Sequence, residues 1–193
     1  MTIPQVVEHL VFEISDFVDP RFCQEIIDLA KGRGFEQATI TSQDGTAVEP
    51  DIRNNDRIIL DDMDLALKLW PKVSSYFEQP FKGFEAIGLN ERFRIYRYTV
   101  GQFFDWHQDG EFANSDGSVS KFTLMIYLNE VHDGGGTTFA DVFSPFAFQD
   151  FTITPSTGKA LLFHHPLSHR GDPILSGEKY VLRTDVMFKV SKK

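Results

Sequence analysis

From Gly88 onward the hydrophobic pattern stops repeating every three or four residues and alternates every two. This change constrains the chain more than any other feature. A period of two puts alternate side chains on opposite faces of a strand, whereas a period near 3.6 builds one apolar stripe on a helix. Segments 90–99, 102–108, 121–129, 137–140, 148–154, 159–165 and 179–189 all read as strands separated by turn residues. Short strands with glycine-rich turns, following a helical layer, predict a mainly β fold with flanking helices. The expected architecture is a double-stranded β-helix, a cupin-like jelly-roll barrel, with an N-terminal helical layer on one outer face.

Ahead of Gly88 the pattern is mixed. Residues 9–14 alternate weakly. Asp19-Pro20 opens a helix through Phe22, Ile26, Ile27 and Leu29, with Asp19 as N-cap and Pro20 at the first position, and Gly32 and Gly34 close it. Residues 41–57 are polar, carry an Asp44-Gly45 turn signal, and read as a surface loop. A second helix is expected over Asp62–Phe77 with Leu65, Leu69, Val73 and Phe77 on one face, kinked or split by Pro71. The chain is thus expected to be a single domain over 1–193, in which 1–87 supplies helices and strands that support the barrel and 88–193 is the jelly-roll core.

Composition narrows the partners. The 193 residues carry 19 basic and 28 acidic side chains, a net charge of −9, which argues against a nucleic-acid partner because phosphate tracking needs clustered Lys and Arg. Nineteen phenylalanines with ordinary glycine and proline counts indicate a packed core. Cys23 is the single cysteine, so neither an internal disulfide nor a cysteine zinc knuckle is expected. No apolar run nears bilayer length and Met1-Thr2-Ile3-Pro4-Gln5 does not start a leader, so the expected location is cytoplasmic, without a membrane partner.

The sharpest local motif is Phe103-Phe104-Asp105-Trp106-His107-Gln108-Asp109-Gly110. On a strand His107 and Asp109 leave the same face and supply two legs of a facial metal site, the arrangement that suits non-haem Fe(II) when a second histidine completes it. Four histidines follow. His132 sits in a turn, and His164 and His165 end an apolar strand where packing explains them. His169 is followed by Gly171, Pro173 and Gly177, and then by the cation Lys179 at the start of a strand. In that strand Lys179, Val181, Arg183 and Asp185 share one face. If Tyr98 faces inward, Asn90, Arg92, Arg94 and Tyr96 do so with it. The polar cluster Arg53-Asn54-Asn55-Asp56-Arg57 reads either as part of a lid over the mouth or as a solvated loop. Gly110 to Ser120 is a flexible connection, and the Phe-rich run from Phe139 to Phe151 is barrel wall.

In order, the pieces YTVGQFFDWHQD, FTLMIYLN, GGGTTF and GKALLFHHPLSHRGDPILSGEKYVLRTDVMF resemble the catalytic domain of the Fe(II)- and 2-oxoglutarate-dependent dioxygenases, on their prolyl-4-hydroxylase-like branch. The resemblance covers about half the chain, from Leu89 to Phe188, and makes 88–193 the catalytic core. It implies that His107, Asp109 and His169 hold iron and that Lys179 clamps the distal carboxylate of 2-oxoglutarate. Arg183 is the alternative clamp, and Tyr98 and Thr123 line the cosubstrate pocket. Arg94, Tyr96, Asn55 and Arg57 are the candidate substrate contacts. The implied activity is hydroxylation of a prolyl or other amino-acid side chain, on a protein, peptide or free amino acid, with oxidative decarboxylation of 2-oxoglutarate to succinate. The implied cofactors are Fe(II) and O2 with 2-oxoglutarate as cosubstrate, and ascorbate as an accessory reductant. The competing readings are a zinc-dependent hydrolase on the same three ligands and a non-catalytic barrel that binds metal or a small molecule.

Overall fold

In the computed structural model, which describes residues 2–42, 45–142 and 147–191, the alternating segments pair into antiparallel sheets. The strands are β1 (Val11–Ile14), β2 (Glu36–Gln37), β3 (Ile40–Ser42), β4 (Gly45–Ala47), β5 (Asp56–Asp61), β6 (Phe84–Leu89), β7 (Arg92–Tyr98), β8 (Phe104–His107), β9 (Val119–Tyr127), β10 (Thr137–Phe139), β11 (Phe151–Ile153), β12 (Ala160–His164), β13 (His169–Gly171) and β14 (Lys179–Val190). The larger sheet runs β1-β12-β9-β14-β7-β5-β2, with β6 also paired to β14. The smaller runs β11-β10-β13-β8, and β3 and β4 form a separate hairpin.

Register turns the period of two into two chemically different faces. On β14 and its neighbours, Leu182 pairs with Ile95 and Ile126, and Ile95 with Ile58. These side chains join Phe93, Leu124 and Leu162 in a core that also takes Phe22, Cys23, Ile26, Ile27 and Ala30 of α1 (Pro20–Arg33) and Leu65, Leu69 and Val73 of α2 (Met63–Val73). Each fully buried Leu, Ile or Phe contributes about 1.5–3 kcal/mol on transfer from water. The alternate residues face the smaller sheet: Lys179 opposite Tyr98, Val181 opposite Tyr96 and Tyr127, Arg183 opposite Arg94 and Met125, and Asp185 opposite Thr123. Tyr96, Tyr98, Tyr127 and Val181 there pack with Phe139, Phe151 and Ile153 of the smaller sheet. The fold is therefore two facing antiparallel sheets with a helical layer on one outer face, the mainly β jelly-roll class that the alternation predicts.

The helices follow their caps. Asp19 accepts a hydrogen bond from Phe22 N and Asp62 from Leu65 N, and Gly34, at φ 79°, ends α1. Leu29, expected on the buried face of α1, is exposed, and Cys23 and Ala30 complete that face with Ile26 and Ile27. The second helix stops at Val73 and continues as a 3-10 turn over Ser74–Phe77. Pro71 is accommodated two residues before that change.

Residues 41–57 are not a surface loop throughout. They hold the β3–β4 hairpin, whose Asp44 lies outside the described residues, and Asp56 already begins β5. Residues 52–54 are stitched to the segment before His107: Asp105 N donates to Ile52 O (2.8 Å), Phe103 N to Asn54 Oδ1 (2.8 Å) and Gln102 Nε2 to Asn54 O (2.8 Å). The connection from Gly110 to Ser120 is internally bonded, with Ser120 N to Phe112 O and Asn114 N to Ser118 O both at 2.8 Å. Of the Phe-rich wall, Phe139 and Phe151 stack at 5.0 Å, while residues 143–146 lie outside the described set.

Candidate metal centre and cosubstrate pocket

His107 lies at the end of β8 and His169 at the start of β13, in direct register, with ring centroids 4.2 Å apart. Asp109 follows two residues after His107, its N–H donating to His165 O (3.1 Å). Ligand atoms of His107, Asp109 and His169 all lie within 4.8 Å of one another. Phe104 stacks on the His107 ring at 3.5 Å, and Phe163 packs against His169 at 4.5 Å, so both imidazoles are held by aromatic walls.

The protonation states suit a divalent cation. His107 Nδ1 faces Asp105 O at 2.7 Å and His169 Nδ1 faces Leu167 O at 3.0 Å. A carbonyl oxygen only accepts, so each Nδ1 carries the hydrogen and each Nε2 presents a lone pair. Burial, and for His107 the neighbouring His169, keep both imidazoles below their ordinary pKa and therefore neutral. Burial alone would raise the Asp109 carboxyl, but Arg183 foremost, with the histidines, holds it far below the usual carboxylate range. Arg183 Nη2 lies 3.0 Å from Asp109 Oδ1, and Thr123 Oγ1 donates to Asp109 Oδ2 at 2.5 Å. Two neutral imidazoles and one ionised carboxylate are a donor set that suits non-haem Fe(II).

From this centre a narrow cavity of about 40 Å³ runs inward, lined among others by Tyr98, Phe104, Thr123, Met125, Thr137 and Lys179. Lys179, 2% exposed, closes it. Its Nζ donates to Gly135 O (2.6 Å) and lies over the rings of Tyr98 (5.2 Å) and Tyr127 (5.6 Å). Burial brings its pKa down to about 8. Among the described residues no carboxylate stands within ion-pair distance of it, whereas Arg183 is already engaged by Asp109 and, at 3.2 Å, by Asp185.

The glycine turn beside Lys179 has a steric reason. At Gly134 (φ +77°) a Cβ would lie 2.2 Å from Pro173 O, a backbone atom that cannot step aside. Gly134→Ala is expected to lose more than the roughly 1–3 kcal/mol of backbone strain alone. Urea unfolding checks this, and a loss under about 0.5 kcal/mol, the range of ordinary surface changes, would contradict it.

On the other side of the triad an open groove of about 500 Å³ is lined by Arg53, Arg57, Arg94, Tyr96, Phe104 and Arg183, among others. The candidates Arg57, Arg94 and Tyr96 stand there. Asn55 does not: it is fully buried, accepts from Arg53 Nε (2.8 Å) and donates to Asp56 O (2.8 Å). Arg53 takes the place in the groove that Asn55 was expected to take. Its neighbour Arg57 shows why: opposite Tyr96 in the β5–β7 register, it lies on the site face, a position invisible until β5 is recognised as a strand. Burial would raise the Tyr96 phenol, but Arg53, Arg183 and Arg94 pull it down to about 8. Arg92 and Arg97 are outside the site, paired with Asp61 (2.8 Å) and Asp56 (2.7 Å). His164 packs against Phe81 and Phe122, and His165 Nε2 sits 3.6 Å from Asp185 Oδ1. Neither joins the triad. Phe104, Met125, Thr137 and Phe163 also line the pocket without having been singled out in the sequence, because their alternation reads as ordinary barrel wall.

Facing sheets with a His-x-Asp…His centre and an inner cavity ending in a buried ammonium define a non-haem iron oxygenase of the double-stranded β-helix class. Residues 93–184 match the family model described as the 2OG-Fe(II) oxygenase superfamily. A protein of Acanthamoeba polyphaga mimivirus described as "Putative prolyl 4-hydroxylase" is 27% identical over 190 residues, covering 88% of this chain and 71% of its own length. The chain is similar in structure to the viral collagen prolyl hydroxylase of Paramecium bursaria Chlorella virus-1 in its 2-oxoglutarate complex, with TM-score 0.61 and 18% identity over 95% of this chain and 99% of that one. It is likewise similar to a Trichoplax adhaerens prolyl hydroxylase in complex with a hypoxia-inducible-factor peptide fragment, with TM-score 0.68 and 16% identity over 94% and 85% of the two chains. Residues 93–184, which contain all three candidate ligands, thus match the 2OG-Fe(II) oxygenase superfamily, and the relatives are described as prolyl 4-hydroxylases. Fe(II) and 2-oxoglutarate are its cofactor and cosubstrate, and the zinc-hydrolase reading falls away.

Proposed function

We propose that the enzyme hydroxylates an amino-acid side chain, prolyl first among the candidates, on a peptide laid along the open groove, and converts 2-oxoglutarate to succinate as it does so. The observation that carries this reading is the meeting of two spaces at one triad. The inner cavity reaches the buried Lys179, and the open groove shares Tyr96, Phe104, His107, Asp109 and Arg183 with it. The buried cation of the first suits a small dicarboxylate, and the open shape of the second suits an extended chain. Relatives described as prolyl hydroxylases, one of them in complex with a peptide, support the substrate class.

His107, Asp109 and His169 would hold the metal, and Lys179 would receive the distal carboxylate of 2-oxoglutarate. When bound, iron and cosubstrate supply the O2 chemistry that places one oxygen atom on substrate carbon and the other in succinate. This chain's residues supply the rest. The Asp105 and Leu167 carbonyls fix the imidazole tautomers, and Thr123 and Arg183 orient the Asp109 carboxylate. The walls of Phe104, Met125 and Phe163 limit water. Lys179 places a fixed cation where a buried carboxylate otherwise costs several kcal/mol.

Iron-loaded enzyme incubated with 2-oxoglutarate, O2 and a panel of proline-containing peptides tests the proposal. Succinate formation with one added oxygen atom on a peptide, localised to proline by fragmentation mass spectrometry, is expected. Succinate formation matched by oxygen on a free amino acid and on no peptide would overturn the peptide reading.

A further inference from the structure

The groove is basic in a chain whose net charge is −9. Of its four arginines, two are balanced. Arg183 faces Asp109 and Asp185, and Arg94 Nη1 lies 3.7 Å from Asp185 Oδ2. The third acid of the groove, Glu111, is paired with Lys121 at 3.2 Å. Among the described residues Arg53 has no such acid, and Arg57 faces only a solvent-exposed one.

Arg53 is only 6% exposed, and its guanidinium lies 4.5 Å from the Tyr96 ring centre and 4.3 Å from that of Phe104. Nε is spent on Asn55, while Nη2 is buried with no hydrogen-bond partner. Among the described residues no carboxylate is within ion-pair distance of Arg53. Arg57 Nη2 donates to Thr39 Oγ1 (2.8 Å), but its buried Nε has no hydrogen-bond partner. Its nearest acid is Glu36 at 3.8 Å, whose side chain is 68% exposed. A buried guanidinium with unmet donors is costly unless a ligand meets them. Arg53 and Arg57 line the open groove and not the Lys179 cavity in which the cosubstrate is proposed to lie.

We infer that Arg53 and Arg57 form an anion subsite that receives a carboxylate of the substrate beside the reacting residue. This rests on the reading that the groove holds the substrate, and it narrows that substrate to one bearing a carboxylate at a set distance from the target carbon. Arg53 lies against the Tyr96 and Phe104 rings, and its donors lie in the guanidinium plane, where a planar carboxylate meets them side-on. Two sources present that group. One is an acidic side chain next to the target residue in a peptide, and the other is the α-carboxylate of the target residue itself, at a C-terminus or in a free amino acid.

Binding to the Fe(II)- and 2-oxoglutarate-loaded enzyme under argon, by calorimetry, separates the sources. One arm compares proline peptides that differ only by Glu or Gln beside the proline. The second compares proline with prolinamide, and peptides ending in proline acid with those ending in proline amide. In one of the arms the carboxylate form is expected to bind at least about tenfold more tightly, as a charge-assisted hydrogen bond does. Arg53→Gln is expected to erase the difference, and Arg53→Lys to restore part of it. Arg57→Gln, at a less buried position, is expected to reduce it and guards against a folding defect at Arg53. Equal binding of acid and amide in both arms overturns the subsite, as does a preference that survives in Arg53→Gln and Arg57→Gln alike. Peptide hydroxylation without any carboxylate preference sinks this inference and leaves the proposed function standing. Carboxylate-selective binding that depends on Arg53, with no peptide oxygenated, upholds the subsite and sinks the peptide reading.

Discussion

Alanine at His169 is expected to abolish iron binding and oxygenation, an effect larger than the roughly 10- to 100-fold that loss of a supporting residue around a metal costs. His169 stands in register with His107, its Nδ1 committed to Leu167 O and its Nε2 3.9 Å from Asp109 Oδ2. Neither His164, packed into the Phe81–Phe122 cluster, nor His165, whose Nε2 faces Asp185 at 3.6 Å, stands among the ligand atoms. The ring also fills space against Phe163, so the alanine carries a packing loss. His169→Gln keeps most of the bulk and separates the two effects. It is expected to retain a cooperative thermal transition and still fail to bind Fe(II) in a titration. A glutamine variant that binds iron as tightly as the wild type contradicts the assignment.

The second large effect is at Lys179. Truncating one partner of a buried charge pair costs about 2–5 kcal/mol, so Lys179→Ala is expected to raise the 2-oxoglutarate concentration needed for half-maximal turnover by roughly 30-fold or more. Stability should move the other way. Burial that brings the ammonium down from 10.5 to about 8 implies a cost on the order of 3 kcal/mol for carrying the charge inside the ligand-free protein. Lys179→Met is therefore expected to leave the cosubstrate-free protein at least as stable as the wild type in urea, while it loses 2-oxoglutarate. The pH dependence has two signs. Between pH 8 and 10.5 the folded lysine binds fewer protons than the unfolded one, so its contribution to stability rises with pH. Affinity for 2-oxoglutarate needs the ammonium and falls as pH rises through about 8, by up to about tenfold per pH unit. If Arg183→Ala raises the cosubstrate requirement and Lys179→Ala does not, the clamp is misassigned. Arg183→Ala is instead expected to weaken iron binding by roughly 10- to 100-fold, through the freed Asp109 carboxylate.

Much of this was legible before the fold was seen, and the reasons are physical. The order Lys179, Val181, Arg183, Asp185 reads as one face because a strand has a strict period of two, and the face is the one the site uses. His107 and Asp109 are legible for the same reason. What escaped lacks that signature. β5 reads Asp56-Arg57-Ile58-Ile59-Leu60-Asp61, a short apolar run framed by charges with no alternation, so its register with β7 and the inward side of Arg57 were hidden. β13 is three residues long, too short for any period, though it carries His169. Phe84–Leu89 does alternate, but its Gly88 reads as a boundary, and it becomes β6 only through pairing with the far half of β14. Asn55 and Arg53 are two residues apart in one polar cluster. Nothing local says that the amide is buried to hold the guanidinium at the groove, since that depends on the stitching of 52–54 to the strand of His107. The contacts of Thr123 and Arg183 with Asp109 join β9 and β14 to the segment after β8, a relation set by the sheets and by no spacing.

The most direct test of the iron and 2-oxoglutarate centre is anaerobic addition of Fe(II) and 2-oxoglutarate to the protein, followed by visible absorption. The arrangement of His107, Asp109 and His169 beside a cavity that ends at Lys179 predicts the charge-transfer band of an iron-chelated keto acid, lost in His107→Ala. A wild-type protein that shows no band, or a His107→Ala variant whose band is undiminished, would contradict it.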